Sequence, residues 1–311
     1  MLKNVIVTSS PHIRSPRSTR WIMQQVCLAL APAGIAGVIL FGWYSLAIIA
    51  ASVLSCVISE YLFERINHRA ITIGDWSAVV TGLLLAYNIP ANAPLWIPVL
   101  GGFLAIVLVK QCFGGLGGNF VNPALAARAI LVVSWSGIMG NYPNTVFATD
   151  AVATATPLVQ ISQGNPVSML DLLIGNCGGV VGETCKIAIL LGGIYLILID
   201  VVDWRIPVSF ICTAFICYLI QDGFHVALLE ILSGGLLLGA FFMATDYVTS
   251  PMSSLGKWIM GIGCGLFLFL IRSYASLVGG CSFAILFMNV LTPMIDRFTA
   301  GKTFGEVKKR G

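Results

Sequence analysis

Residues 244–253 read ATDYVTSPMS, and they nearly repeat residues 148–157, which read ATDAVATATP. Both stretches are polar, although 58% of the 311 residues are hydrophobic and only 10% are charged. Soluble domains carry roughly 25% charged residues. This composition, with a mean hydropathy of +0.93, is typical of an integral membrane protein, in which two such polar stretches are exceptions.

Two further features recur in the same order along the chain. GLLLA at 82–86 has a counterpart in GLLLG at 235–239, and GGLGGNFVNPALAARA at 114–129 has a looser one in GGCSFAILFMNV at 279–290. A duplicated unit with an odd number of membrane crossings must lie in two opposite orientations, so the sequence predicts two inverted five-helix repeats. Chance similarity among Gly, Ala, Leu and Thr is the alternative interpretation.

The apolar segments predict the architecture, because a membrane-crossing helix needs about 20 mostly apolar residues. We predict an all-α polytopic membrane protein with about ten transmembrane helices. The third and seventh segments are short, which is typical of discontinuous helices inside a membrane protein. The segments are 21–42, 45–63, 76–89, 95–113, 122–139, 185–201, 206–220, 225–244, 257–272 and 279–295.

The distribution of Lys and Arg predicts the orientation. If the segments alternate, most cations fall on the side of the two termini, which the positive-inside rule assigns to the cytoplasm. The amino terminus lacks the features of a cleaved signal peptide. Residues 140–184 contain no Lys or Arg and are expected outside the cytoplasm. The net charge of +4 therefore reflects topology, and no nucleic-acid partner is expected.

These expectations divide the chain into five parts within the cell inner (plasma) membrane, where lipid surrounds the protein. The parts are a cytoplasmic amino-terminal segment at 1–20, a first membrane repeat at 21–139, an extracytoplasmic segment at 140–184, a second membrane repeat at 185–295 and a cytoplasmic tail at 296–311.

Two patterns argue against familiar cofactor sites. The nine cysteines include no CxxC pair and no cluster at metal-ligand spacing, so we predict no metal site held by this chain alone. GGLGGNF at 114–120 lacks both GxGxxG and the P-loop lysine. We expect closely packed re-entrant backbone there, with Asn119 and Asn122 shaping a helix break, and a flavin ring or an ion as the best ligand if the loop binds one.

Ionisable residues in apolar segments are costly in hydrocarbon, so each is a candidate functional residue. Asp246, beside Thr245, and Glu230, inside the eighth segment, are the candidates for an ion or flavin site. The others sit mostly at segment ends, where snorkelling to the interface is the ordinary explanation. They are Glu60, Asp75, Lys110, Arg128, Asp200, Asp203, His225 and Arg272.

The stretch FATDAVATATPL at 147–158 has two interpretations. An Asx or Ser/Thr turn accounts for its polar residues. The stretch also resembles the flavinylation sequence D-x-x-[ST]-G-A-T, in which a membrane-associated flavin transferase joins FMN through a phosphoester to the final threonine. Aligned on Asp150, this chain has Thr156 at the acceptor position, and it departs from the pattern at Ala153 and Thr154.

Further stretches, in order and over nearly the whole chain, resemble the D subunit of Rnf-type ion-translocating ferredoxin:NAD oxidoreductases. A relative of that family is the B subunit of the sodium-translocating NADH:quinone reductase. The stretches are SPHIR at 10–14, GDWSAVVTGLLLAYNIP at 74–90, FGGLGGNFVNPALAARA at 113–129, LSGGLLLGAFFMATDYVTSP at 232–251 and FAILFMNVLTPMID at 283–296.

The resemblance implies a membrane electron-transfer subunit that has no catalytic residue of its own and is not active alone. Thr156 would carry covalent FMN outside the cytoplasm, with Asp150 and Thr154 as neighbouring attachment residues. A second, noncovalent flavin such as riboflavin would lie nearer the cytoplasm. The candidates for that flavin, or for an ion, are Asp246, Thr245, Asn119, Asn122 and Glu230.

The implied partners are the A, B, C, E and G subunits of an Rnf-type complex and the flavin transferase. Electron transfer would be coupled to sodium or proton transport. The alternative is a solute channel or secondary transporter, because inverted repeats with broken helices are equally typical of that class. A transporter would purify without flavin. A structural assembly subunit is a third interpretation if Thr156 is unmodified.

Overall fold

The structure is a computed structural model that describes residues 17–146, 156–275 and 280–300. Each of the ten predicted apolar segments contains a helix, and we number these helices first to tenth. Five of them are long and apolar enough to cross a membrane. They are the first, Thr19–Phe41, the second, Trp43–Ile66, the seventh, Arg205–Asp222, the ninth, Ser254–Tyr274, and the tenth, Gly280–Thr299.

The remaining helices are bent or shorter. The eighth consists of Phe224–Leu232 and Leu236–Met243, which meet at 65°. Together these two parts are long and apolar enough to form one broken span. The third to sixth helices are Ser77–Ala86, Trp96–Gln111, Pro123–Ser134 and Lys186–Leu198. Short helices in the connections are Ile73–Asp75, Ser136–Met139, Pro157–Ser162 and Met169–Ile174. The predicted all-α polytopic membrane class is confirmed.

Two contacts, one between the ends of the first and sixth helices and one between the starts of the seventh and ninth, fit helices that alternate in direction. Arg17, before the first helix, donates from Nη1 to the carbonyl oxygen of Asp200, after the sixth, over 3.3 Å. Lys257 Nζ, at the start of the ninth helix, lies 2.8 Å from Asp203 Oδ2, just before the seventh. The face that carries these four residues is called the amino-terminal face below.

The position of the second helix break differs from the prediction. The seventh helix is unbroken over 18 residues, whereas the eighth is interrupted between Leu232 and Leu236. Ser233 is extended there, and Gly234 has φ 63°, a left-handed conformation that glycine adopts without steric cost. The apolar run of the seventh segment is shorter than the helix because the charged residues at its ends, Arg205 and Asp222, are helical as well.

The long connection between the fifth and sixth helices enters the protein near its end. Val181 N donates to Ile89 O over 3.4 Å, and Gly182 N donates to Tyr87 O over 3.2 Å. These bonds pair the connection with the turn that follows the short third helix, and so give partners to backbone groups shielded from water. A Cβ on Gly182 would lie 2.2 Å from Tyr87, so this pairing depends on glycine.

Small residues also allow helices to approach closely. Gly261 and Gly265 of the ninth helix face the seventh, where an added Cβ would lie 1.8 Å from Ser209 Oγ and 2.7 Å from Thr213 Cβ. Such small residues at a spacing of four are a common basis of helix association in membranes. They hold the second half together around the broken eighth helix.

Candidate functional site

A cavity lies between the two halves, toward the amino-terminal face. Its empty space, counted out into the open mouth, is about 780 Å³. The first, third and fifth helices line one side, and the end of the sixth and the second part of the eighth line the other. The apolar wall includes Leu84, Phe241 and Phe242.

Four of the five residues predicted for a second flavin or an ion line this cavity, and they come from both halves. Asn119 and Asn122 precede the fifth helix, whereas Thr245 and Asp246 follow the eighth. The structure thus brings together residues that are more than a hundred positions apart.

Asn122 joins the two halves at the cavity. Its Oδ1 accepts from Ala124 N and Leu125 N at 3.1 and 3.3 Å, which caps the fifth helix. Pro123 follows at the first helical position, where its missing N–H costs nothing. The Nδ2 of Asn122 donates to Met243 O, at the end of the eighth helix, over 3.2 Å. The predicted role of Asn122 at a helix boundary is therefore confirmed.

Asp246 is a partly buried carboxylate on the cavity wall. Burial raises the pKa of Asp246 above its usual value, although hydrogen bonds from Thr249, Val248 N and Asn119 oppose this effect. Thr249 Oγ1 lies 3.2 Å from Asp246 Oδ2. Thr245 Oγ1 donates to Phe241 O over 2.7 Å, which leaves its oxygen able to accept a hydrogen bond.

Lys110 and Ser77 line the same cavity and belong to a buried network that the sequence did not reveal. Lys110 Nζ lies 2.6 Å from both Glu60 Oε1 and Ser77 Oγ. The exposed fraction is 2% for Lys110 and 0% for Glu60. Snorkelling, expected for both residues, is wrong because their helix ends are packed inside the protein. A buried charge is retained when it is paired and hydrogen-bonded.

Glu230 does not line the cavity. The 65° bend separates the two parts of the eighth helix, and Glu230, in the first part, pairs with the ninth helix instead. Its Oε2 lies 3.3 Å from Arg272 Nη1, and the two side chains are about a tenth exposed. Glu230 is therefore not part of the cavity that Asp246 lines, and Arg272 is paired inside the protein where snorkelling to the interface was expected.

The stretch resembling a flavinylation sequence is described only in part. Asp150 and Thr154 lie outside the described residues. Thr156 is half-buried and directly precedes the helix Pro157–Ser162. Its side chain makes no capping hydrogen bond to that helix, although its carbonyl oxygen accepts from Val159 N and Gln160 N at 2.9 and 3.0 Å.

The glycine-rich loop is an exposed turn, which corrects the expectation of closely packed re-entrant backbone. Gly114, Gly115 and Gly117 all have positive φ. A Cβ on Gly114 or Gly117 would meet nothing within 4 Å, so these glycines serve the backbone conformation and not close packing. Only the end of the loop, at Leu116 and Asn119, reaches the cavity.

Among the described residues, no group of three or more His, Cys, Asp or Glu side chains could hold a metal ion. The polar groups on the cavity wall are instead amides, hydroxyls, a carboxylate and one ammonium. Such a set can form hydrogen bonds to an organic ligand that has several polar groups. Sequence reasoning found the amides and the carboxylate because they interrupt apolar segments.

Comparisons with known proteins agree with this architecture. Residues 6–305 match the model of the NQR2, RnfD, RnfE family. The chain is 49% identical to the D subunit of the Na(+)-translocating ferredoxin:NAD(+) oxidoreductase complex of Acetobacterium woodii, over 98% of this chain and 96% of the relative. It is 39% identical to the D subunit of the proton-translocating ferredoxin:NAD(+) oxidoreductase complex of Clostridium ljungdahlii, over 97% of each.

A third relative is more distant. The D subunit of the ion-translocating oxidoreductase complex of Halorhodospira halophila is 32% identical, over 97% of this chain and 96% of its own length. The match therefore covers both membrane halves and the connection between them. This chain belongs to the NQR2, RnfD, RnfE family.

Proposed function

We propose that this chain is the membrane electron-transfer subunit of an ion-translocating ferredoxin:NAD oxidoreductase complex. The supporting observation is its similarity, over nearly the full length, to D subunits of sodium-translocating and proton-translocating complexes of that type. As a subunit it works with others, for which the resemblance implies types A, B, C, E and G. The complex couples electron transfer to sodium or proton transport.

The orientation is part of the proposal. The amino-terminal face, which carries Arg17 and Lys257, lies on the cytoplasmic side, as the positive-inside rule favours. The long connection that carries Thr156 then lies at the extracytoplasmic side, and the cavity around Asp246 opens toward the cytoplasm. Electrons would thus have one carrier site on each side of the membrane.

Thr156 is the proposed attachment point of covalent FMN. Its hydroxyl is not used to cap the following helix, and the residue is only half-buried, so a flavin transferase can reach it. Asp150 and Thr154 would help the transferase recognise the stretch. A phosphoester to the threonine oxygen would keep a surface cofactor from diffusing away, while the flavin supplies one-electron and two-electron chemistry.

The test is in-gel flavin fluorescence of the chain after co-expression with a flavin transferase. We expect a fluorescent band that disappears in Thr156→Ala. Thr149→Ala is the matched control, because it removes a neighbouring threonine that precedes the aligned motif and leaves the acceptor, and its band should remain. A wild-type band without fluorescence, beside a positive control for the transferase, would contradict the assignment and favour the transporter or assembly class.

The cavity between the halves is the proposed site of the second, noncovalent flavin, such as riboflavin. Its apolar wall and the hydrogen-bonding groups of Asn119, Asn122, Thr245 and Asp246 suit a flat ring with polar edges. Amides can both donate to and accept from such an edge, and the carboxyl of Asp246 supplies an acceptor. These residues would bind and orient the ring and exclude water from it.

Asp246→Asn tests the cavity assignment. We expect the variant to lose most of the flavin that acid releases from the purified protein, while the covalent flavin on the denatured band is unchanged. Asp222→Asn, at an exposed helix end away from the cavity, is the matched control. Equal acid-released flavin in Asp246→Asn and the wild type would contradict a role for this carboxylate.

A further inference from the structure

The break in the eighth helix presents carbonyl oxygens to side chains of other helices. The oxygens of Glu230, Ser233 and Gly234 each accept a hydrogen bond from a side chain outside the helix. In transporters, the carbonyl oxygens of an unwound segment commonly coordinate a transported cation. The break between Leu232 and Leu236 therefore has the ligand set of a cation site.

The side chains that donate to these carbonyl oxygens are themselves positively charged. Arg272 of the ninth helix donates from Nη1 to Glu230 O over 2.9 Å and from Nη2 to Ser233 O over 3.1 Å. Lys186, at the start of the sixth helix, donates from Nζ to Gly234 O over 2.8 Å and also to Glu183 O. Lys186 is 2% exposed, so its ammonium is buried at the break.

Two carboxylates complete the cluster. Glu230 Oε2 pairs with Arg272 at 3.3 Å. Glu183 Oε2 is buried against the backbone of Gly235, where an added Cβ would lie 2.6 Å away, and it has no hydrogen-bond partner among the described residues. Two positive and two negative side chains thus surround a set of backbone oxygens. An inserted metal cation would add a fifth charge, whereas the tethered cations already balance the carboxylates.

We propose that the broken eighth helix is a cation-coordination site permanently filled by Lys186 and Arg272, and that this filling closes the path past the break to Na⁺. The cavity is lined by Phe241 and Phe242 of the second part of the same helix. A cation that reached the carbonyl oxygens of the break would have to displace a covalently attached ammonium or guanidinium. This inference goes beyond the electron-transfer function and does not depend on either flavin.

The test is passive ²²Na⁺ flux through liposomes that contain the full chain without an electron donor. We expect the wild type to be as tight as protein-free liposomes. Liposomes with Lys186→Met should pass ²²Na⁺ at about ten times the wild-type rate or more. A tenfold increase corresponds to an energy barrier lower by about 1.4 kcal/mol. Lys186→Arg retains the charge and should remain tight. Lys186→Gln retains a donor for Gly234 O without the charge and should leak.

A second measurement separates a vacated site from general damage. Na⁺ should raise the melting temperature of Lys186→Met and Lys186→Gln more than N-methylglucamine does at equal ionic strength, and it should have no such effect on the wild type. Leaks that pass N-methylglucamine as readily as Na⁺ would contradict the proposal. So would a Na⁺-permeable wild type, or monodisperse Met and Gln variants that remain tight.

Discussion

The third and eighth helices are each the third helix of their half of the chain and carry the same GLLL motif, yet each is interrupted differently. In the third, GLLLA ends the helix, and the turn beyond it pairs with backbone of the long connection. In the eighth, GLLLG follows the break, and the interrupted backbone is held by Arg272 and Lys186. One break is satisfied by neutral backbone and the other by charged side chains.

The two breaks differ in charge. The backbone hydrogen bond between Gly182 and Tyr87 involves only neutral groups, so no charge is buried with it. A cationic pair keeps carbonyl oxygens and carboxylates together in a buried place, which is stable only while each charge has its partner. We expect the eighth helix to be far more sensitive to the loss of a single charge than the third is to any change in packing.

The largest effect should follow from Arg272→Met. Removing the guanidinium leaves the carboxylate of Glu230 and the oxygen of Ser233 buried without their partner, which should lower the free energy of unfolding by about 3–5 kcal/mol. The measurement is denaturant unfolding of the purified chain in mixed detergent. Arg297→Met, which removes an exposed arginine from the tenth helix, should change the value by less than about 0.5 kcal/mol.

Equal effects of the two arginine substitutions would break the comparison, because the eighth helix would then not depend on its cation. A large effect of Arg272→Met that is partly reversed by adding Glu230→Gln would sharpen it. Such coupling is expected between two groups in direct contact.

An intermediate effect should follow from Gly182→Ala. The new methyl group would lie 2.2 Å from the Tyr87 side chain, so the connection must shift away from the third helix, at a cost of about 1–3 kcal/mol. Gly74→Ala is the control, since a methyl group there meets nothing within 4 Å. If Gly182→Ala unfolds at the same denaturant concentration as Gly74→Ala, the backbone hydrogen bond between Gly182 and Tyr87 does not stabilise the end of the third helix.

The smallest effect should follow from Asp203→Asn, at a partly exposed ion pair of the amino-terminal face. Burial alone would raise the pKa of Asp203, but hydrogen bonds from Lys257 and Arg205 N outweigh it and hold the pKa below its usual value. The folded protein therefore binds this proton less readily than the unfolded chain. The carboxylate stabilises the fold above the unfolded pKa of about 3.9, and this contribution is lost as the pH falls through the folded value.

Near pH 7 we expect Asp203→Asn to cost about 0.2–1 kcal/mol, and the difference from the wild type should vanish in strong acid. Unfolding of both proteins across the acid range measures it. If Asp203→Asn lowers the free energy of unfolding as much as Arg272→Met does, burial does not explain why the Arg272–Glu230 pair should matter more than the Lys257–Asp203 pair.

Sequence patterns predicted much of the site because its residues interrupt apolar segments. Asn119, Asn122, Thr245 and Asp246 stood out as polar groups where hydrocarbon would disfavour them, and all four line one cavity. The buried ion pairs were not predicted. Lys110 and Glu60 are 50 positions apart and each sits near a helix end, where a sequence cannot distinguish a lipid interface from a protein interior.

The sequence by itself determined that this is a polytopic helical membrane protein, because apolar length and composition leave few other ways to satisfy backbone groups in lipid. The short third and seventh segments also predicted a discontinuous helix in each half, although the break in the second half lies in the eighth helix. Only the tertiary structure decided which groups complete those breaks. A freed carbonyl takes the nearest donor, and whether that is Gly182 N or Lys186 Nζ depends on how distant segments pack.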